Sequence, residues 1–170
     1  FQDVLPLIRT LFDIALLSKG PESVPRSGIL LIMSLVLWAV AAFSFTSLIE
    51  NAGGADIRRD LLNFALAMTC YYAVLAGTGN GERVMQTLTT LIGCGALMAL
   101  CFTATLVTIG QLAGAAIISM LAIAYLIWSM SVEGHIIARA IDRAFYIGVL
   151  IAFAIFVFQY AALTLILPRP

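Results

Sequence analysis

The chain has 170 residues, 62% of them hydrophobic and only 11% charged, and its basic and acidic side chains cancel at pH 7. An ordinary soluble domain is about 45–50% apolar and about 25% charged, so folding in water would expose apolar patches too large to be tolerated; a mean hydropathy of +1.07 makes lipid the expected solvent. Zero net charge, with no basic run interleaved with aromatics, argues against a nucleic-acid partner.

Residues 1–20 predict an amphipathic interfacial helix, because Phe1, Val4, Leu5, Ile8, Leu11, Phe12, Ala15 and Leu16 recur at helical spacing. Asp3 suits an N-cap, which places Pro6 in the first turn, where a missing N–H costs little. Arg9 and Asp13 have i,i+4 spacing for an ion pair. Lys19-Gly20-Pro21 then supplies a terminal cation, a left-handed glycine and a stop. Such a helix lies among the headgroups or packs on a bundle; a docking arm for another protein has the same chemistry. Residues 21–27 form a proline-containing linker.

Residues 28–168 predict a single transmembrane bundle of about five helices, with spans near 28–49, 59–77, 84–109, 112–131 and 144–167. About 20 apolar residues cross a hydrocarbon core about 30 Å thick. The second span is short and depends on Ile57 and the snorkelling Arg58 and Arg59 for its length. From Val84 to Met130 no residue is formally charged, and as one helix that stretch would reach about 70 Å. It must fold back, and Gly110-Gln111 is the natural break. Beyond residue 131, Val132, Ile136, Ile137, Ala140 and Ile141 make an apolar stripe beside a polar row of Ser131, His135, Arg139 and Arg143, the pattern of a helix leaving the bilayer and running along the headgroups. Arg9, Lys19, Arg26, Arg83, Arg139 and Arg143 fall on the N-terminal side, and Arg58, Arg59 and Arg169 on the other, which favours a cytoplasmic N-terminus.

Reactive chemistry is sparse. Cys70, Cys94 and Cys101 sit inside apolar runs and read as small buried hydrophobes. No metal-ligand spacing, GxSxG or HExxH is present, and Gly77-x-Gly79-x-Gly81 lacks the strand and Lys-Ser/Thr of a phosphate loop. No basic region followed by a short apolar stretch and a small-residue cleavage site opens the chain. Glu133, His135 and Arg139 form one candidate polar cluster at the membrane boundary, either a solvated helix end or a proton-linked or ligand-binding site. Gln86, Thr90 and Gln111 form another, either a pore lining or bonds across packed helices. Tyr71 and Tyr72 are candidate belt or interhelical groups. Thr89, Gly93 and Ala96, and Ala115, Ser119 and Ala122, are spaced for close helix approach.

The blocks Lys19-Gly-Pro-Glu-Ser-Val-Pro-Arg-Ser27, Gln86-Thr-Leu-Thr-Thr-Leu-Ile-Gly-Cys-Gly95 and Trp128-Ser-Met-Ser-Val-Glu-Gly-His135, within this layout, resemble the bacterial branch of the Yip-type small membrane proteins. The acidic-Tyr-Gly-Pro block of the eukaryotic members is missing, so no trafficking or GTPase-binding role carries over. The resemblance implies a non-enzymatic protein of the bacterial inner membrane with no catalytic residues and no cofactor to transfer. The expected role is therefore an accessory or scaffold subunit that contacts lipid and other membrane chains or copies of itself. The alternative is an oligomeric transporter or channel gated by Glu133 and His135.

Overall fold

The computed structural model describes residues 4–50, 57–110 and 112–167, and among them there is no strand. Six helices follow one another: α1 (Val4–Ala15), α2 (Gly28–Glu50), α3 (Ile57–Gly77), α4 (Val84–Ile109), α5 (Ala115–Ala140) and α6 (Phe145–Ile166). α2 to α6 are each long and apolar enough to cross a membrane, which makes this a multi-pass membrane protein with 5 candidate spans. Helices are what a bilayer permits, since every backbone N–H and C=O must find its partner within the segment.

One expectation about the chain path changes and another holds. α5 is one uninterrupted helix of 26 residues, about 39 Å long, rather than a span ending near 131 followed by a surface segment. The polar row after Ser131 is therefore the continuation of a helix longer than the hydrocarbon is thick. α3 begins at Ile57, so the second span recruits Ile57 and Arg58 as its length required. Asp3, Gln111 and residues 168–170 lie outside the described residues.

α4 is the axis of the bundle and touches α1, α2, α3 and α5; α6 closes the ring by packing on α5 and α3. The buried stretch Thr87–Met98 explains how α4 can sit at the centre. Thr89 and Thr90 donate their hydroxyls to the carbonyls of Met85 and Gln86 in the preceding turn, at 2.7 and 2.8 Å. Each hydroxyl is satisfied within its own helix and the methyl group faces the neighbour. Gly93 has no side chain where Leu11 and Ser34 press in: a Cβ there would meet Leu11 Cδ1 at 2.9 Å and Ser34 Oγ at 3.2 Å.

The closest crossing joins α5 to α6. A Cβ on Gly148 would lie 2.0 Å from the Gly134 carbonyl oxygen, and one on Gly134 would lie 2.7 Å from the Val149 backbone. Small residues let backbones meet where no apolar-versus-lipid driving force exists. Of the expected small-residue sets, Thr89, Gly93 and Ala96 are buried as proposed, whereas Ala115, Ser119 and Ala122 are exposed. The fourth span uses Gly134 for close approach, not that stripe.

α1 packs on the bundle, with Leu11, Ile14 and Ala15 buried against α4 and α5. Trp128 Nε1 donates to the Ala15 carbonyl at 3.0 Å and the Cys94 thiol donates to the Leu11 carbonyl at 3.5 Å. The helix ends in a Schellman turn: Ser18 N–H reaches the Asp13 carbonyl and Leu17 N–H the Ile14 carbonyl. The left-handed residue is Leu17, at φ 60, and Gly20, expected to fill that role, is extended at φ −108. Asp13, expected to pair with Arg9, lies 2.8 Å from Lys19 Nζ. The linker is strapped across the ends of α4 and α5 by Gln86 Nε2 donating to the Val24 carbonyl and by His135 Nε2 donating to the Lys19 carbonyl at 2.9 Å.

Candidate functional site

The spans frame a partly open cavity of about 390 Å³ lined by residues from all five. This size falls within the range of about 300–1,000 Å³ typical of small-ligand pockets. Trp38 and Phe45 come from α2, Phe64 from α3, Tyr125 from α5 and Phe156 from α6, so its middle is an aromatic and aliphatic sleeve. The walls hold one another by stacking: Trp38 and Phe64 have centroids 4.0 Å apart, and Phe102, behind the wall, stacks on Tyr125 at 4.6 Å. Such pairs add about 0.5–1.5 kcal/mol beyond their buried area.

Each end of the sleeve is polar. At one end Tyr71 donates its hydroxyl to Glu133 Oε2 at 2.5 Å, and Ser129, one turn back on α5, donates to Glu133 Oε1 at 3.2 Å. Tyr71 is buried against Leu75 on α3, which fixes its ring and aims its hydroxyl across the bundle at α5. Glu133 stands seven residues before Ala140, about 10 Å inside that helix end. At the other end Gln159 of α6 donates to the Asn63 side-chain oxygen at 2.8 Å and to its carbonyl at 2.9 Å, next to Asp60. Tyr71 and Asp60 are 11 residues apart on α3, so the two polar poles are separated by about 16 Å.

Asp60, Asn63, Phe156 and Gln159 also line a smaller cavity of about 210 Å³ together with Arg59, Tyr160 and Leu163. The sleeve thus continues toward the membrane face where α3 begins and α6 ends. Beyond the Glu133 pole the path is stopped by packing, because Leu75, Val132 and Ile136 are fully buried. The main cavity has two acidic residues in its lining, Asp60 and Glu133, and no basic one. Arg59 stands beside Asp60 in the adjoining cavity, and Glu133 is held by Tyr71 and Ser129.

The expected polar clusters are rearranged. Glu133 and His135 are two positions apart, which puts them on opposite sides of a helix with 3.6 residues per turn. Glu133 turns inward to Tyr71, while His135 turns outward to the Lys19 carbonyl, with its ring 6.4 Å from that of Phe145. Arg139 sits farther along, its Nε 4.0 Å from Glu22. The three do not share a site: Glu133 and His135 bond to partners on opposite sides of α5. Gln86 anchors the linker and Thr90 bonds within its own helix. Gln111, their expected companion, lies outside the described residues. Asn63, Ser129, Tyr125 and Gln159 were not singled out from the sequence. Asn63 and Gln159 nonetheless carried a signal, as amide side chains within long apolar runs.

No protein-family model matches the chain, and neither does any curated protein or solved structure.

Proposed function

We propose that this protein is a membrane carrier that receives a small organic cation in the sleeve between its five spans. The observation that carries the reading is an aromatic-walled cavity of about 390 Å³ with the Glu133 carboxyl group, held by Tyr71 and Ser129, in its wall. Trp38, Tyr125 and the phenyl rings supply faces that attract a cation, worth about 2 kcal/mol when desolvated. Glu133, held by Tyr71 and Ser129, supplies the counter-charge. A cavity that leads toward one face and meets buried side chains at the other supports that reading. Its chemistry is recognition and passage, with no bond to be made. The Arg/Lys distribution supports a cytoplasmic side for the N-terminus and the Glu133 pole, in a bacterial inner membrane.

A direct test is calorimetric titration of the full chain in lipid nanodiscs with benzyltrimethylammonium, an aromatic quaternary cation. Saturable binding is expected, weakened at least tenfold by Glu133→Gln, with a neutral analogue of the same shape not bound. Equal binding by Glu133→Gln, or none by the unaltered protein, refutes the carrier. Uptake of the bound cation into proteoliposomes then separates a carrier from a static receptor.

The second reading is the accessory or scaffold subunit suggested by composition. What favours it is α5, whose first half presents exposed Ile117, Met120, Ile123 and Ile127 together with Ala115, Ser119 and Ala122. A partner chain or a second copy could cover that surface as well as lipid does.

A further inference from the structure

Away from the sleeve, where the linker crosses the start of α4 and the end of α5, a second hollow of about 530 Å³ is lined by Arg26, Arg83, Gln86, Thr87 and Arg139. We infer that this hollow binds a phosphate group, of the kind borne by an anionic phospholipid headgroup. Thr87 is the observation that points to a ligand. It is 0% exposed, yet among the described residues its hydroxyl has no hydrogen-bond partner, while Thr89, Thr90 and Thr103 on the same helix all bond back to their preceding turn. A buried hydroxyl left unpaired is destabilising, and a phosphate oxygen in the hollow would satisfy it.

The cations around Thr87 differ in how far they are committed. Arg83 is taken up, donating to Asp142 at 2.8 Å and to the Ala140 carbonyl at 3.1 Å, where it caps α5. Arg139 is held only by Glu22 at 4.0 Å, and Arg26 makes no ion pair among the described residues. Three guanidiniums against Glu22 and Asp142 leave the lining with a net charge of +1 (three minus two). The planar fork of a guanidinium matches phosphate oxygens, often in a bidentate way. Glu22 is exposed and only loosely held, so it is the group that an incoming phosphate displaces. The depth also fits: Arg26 precedes α2, Thr87 is one turn into α4 and Arg139 is one residue from the end of α5, where headgroups meet helix ends. Basic pockets between transmembrane helices recognise anionic headgroups in this way.

The inference is independent of the cation sleeve and is tested without it. Full-length protein stripped of lipid in neutral detergent is melted with added phosphatidylglycerol, phosphatidylcholine or inorganic phosphate, since a ligand that binds only the folded state raises its melting temperature. Phosphatidylglycerol is expected to raise it more than phosphatidylcholine. Arg26→Gln/Arg139→Gln should weaken the response at least tenfold in apparent affinity, Arg9→Gln should not, and Glu22→Gln should strengthen it. Thr87→Val is the sharper probe: without ligand it should be at least as stable as the unaltered protein, yet bind about tenfold more weakly. It also carries the test alone if the double arginine variant fails to fold. A response to inorganic phosphate at or below the lipid's concentration assigns the site to a soluble phosphate, and a response to phosphatidylglycerol alone assigns it to a headgroup. No response to either, or a response unchanged in both Arg26→Gln/Arg139→Gln and Thr87→Val, overturns the inference.

Discussion

Tyr71 and Glu133 hold the closed pole of the sleeve together, and a double-mutant cycle can measure that link. Tyr71→Phe deletes only the hydroxyl, and Glu133→Ala deletes the acceptor into space the cavity already provides. Polar contacts between transmembrane helices couple by about 0.6 kcal/mol on average and by about 1.7 at most. This one belongs in the upper part of that range: its oxygens are 2.5 Å apart, the donor ring is 3% exposed, and the two residues come from different helices. A coupling of about 1 to 1.7 kcal/mol is therefore expected. It would be read as the non-additive part of the unfolding free energies of the two single variants and the double variant, measured by denaturing-detergent titration in mixed micelles. Each single variant also loses packing, but that loss cancels in the cycle. A coupling below about 0.3 kcal/mol would mean that the hydroxyl and the carboxylate do not meet, and the closed pole as described would be wrong.

Gly148→Ala should separate α5 from α6, because its new Cβ would lie 2.0 Å from the Gly134 carbonyl oxygen and 2.7 Å from the Ala138 backbone nitrogen, neither of which can rotate away. Overpacking costs about 1–3 kcal/mol, and a backbone clash belongs at the top of that range. Gly95→Ala is the control: it meets nothing within 4 Å, and in a melting experiment it should leave stability unchanged or raise it by up to about 1 kcal/mol through helix propensity. Trp128→Phe removes the 3.0 Å bond to the Ala15 carbonyl, and about 1 kcal/mol of α1 docking with it. Hydrogen exchange should then quicken in α1 and stay unchanged in α4; protection of α1 equal to the unaltered protein would refute the docking role.

How many times the chain crosses was legible in the sequence because that question is local. A run of about 20 apolar residues must be helical in lipid, and the uncharged stretch from Val84 to Met130 must turn once because it is too long for one crossing. Glu133 was visible as an ionisable group close to the membrane core, and Tyr71 as a phenol with a hydroxyl to place. Which way each side chain faces was not legible. In water the apolar stripe of a helix marks its buried face, but lipid tails are as apolar as leucine, so α2, α5 and α6 show residues of the same kind to their neighbours and to the bilayer. Hence Ala115, Ser119 and Ala122 looked like a packing stripe and are exposed, while Gly134 and Gly148 make the close crossing. For the same reason Glu133 and His135, adjacent in the sequence and assigned to one cluster, part company, and only the packing of α5 against α3 and α6 turns the carboxylate inward and the imidazole out. Asn63 and Gln159, 96 positions apart, become one pole of a cavity only when α3 and α6 lie side by side. The hydrophobic length of each segment determined that it would cross; the grooves, glycines and rings that set helix against helix decided what the crossings enclose.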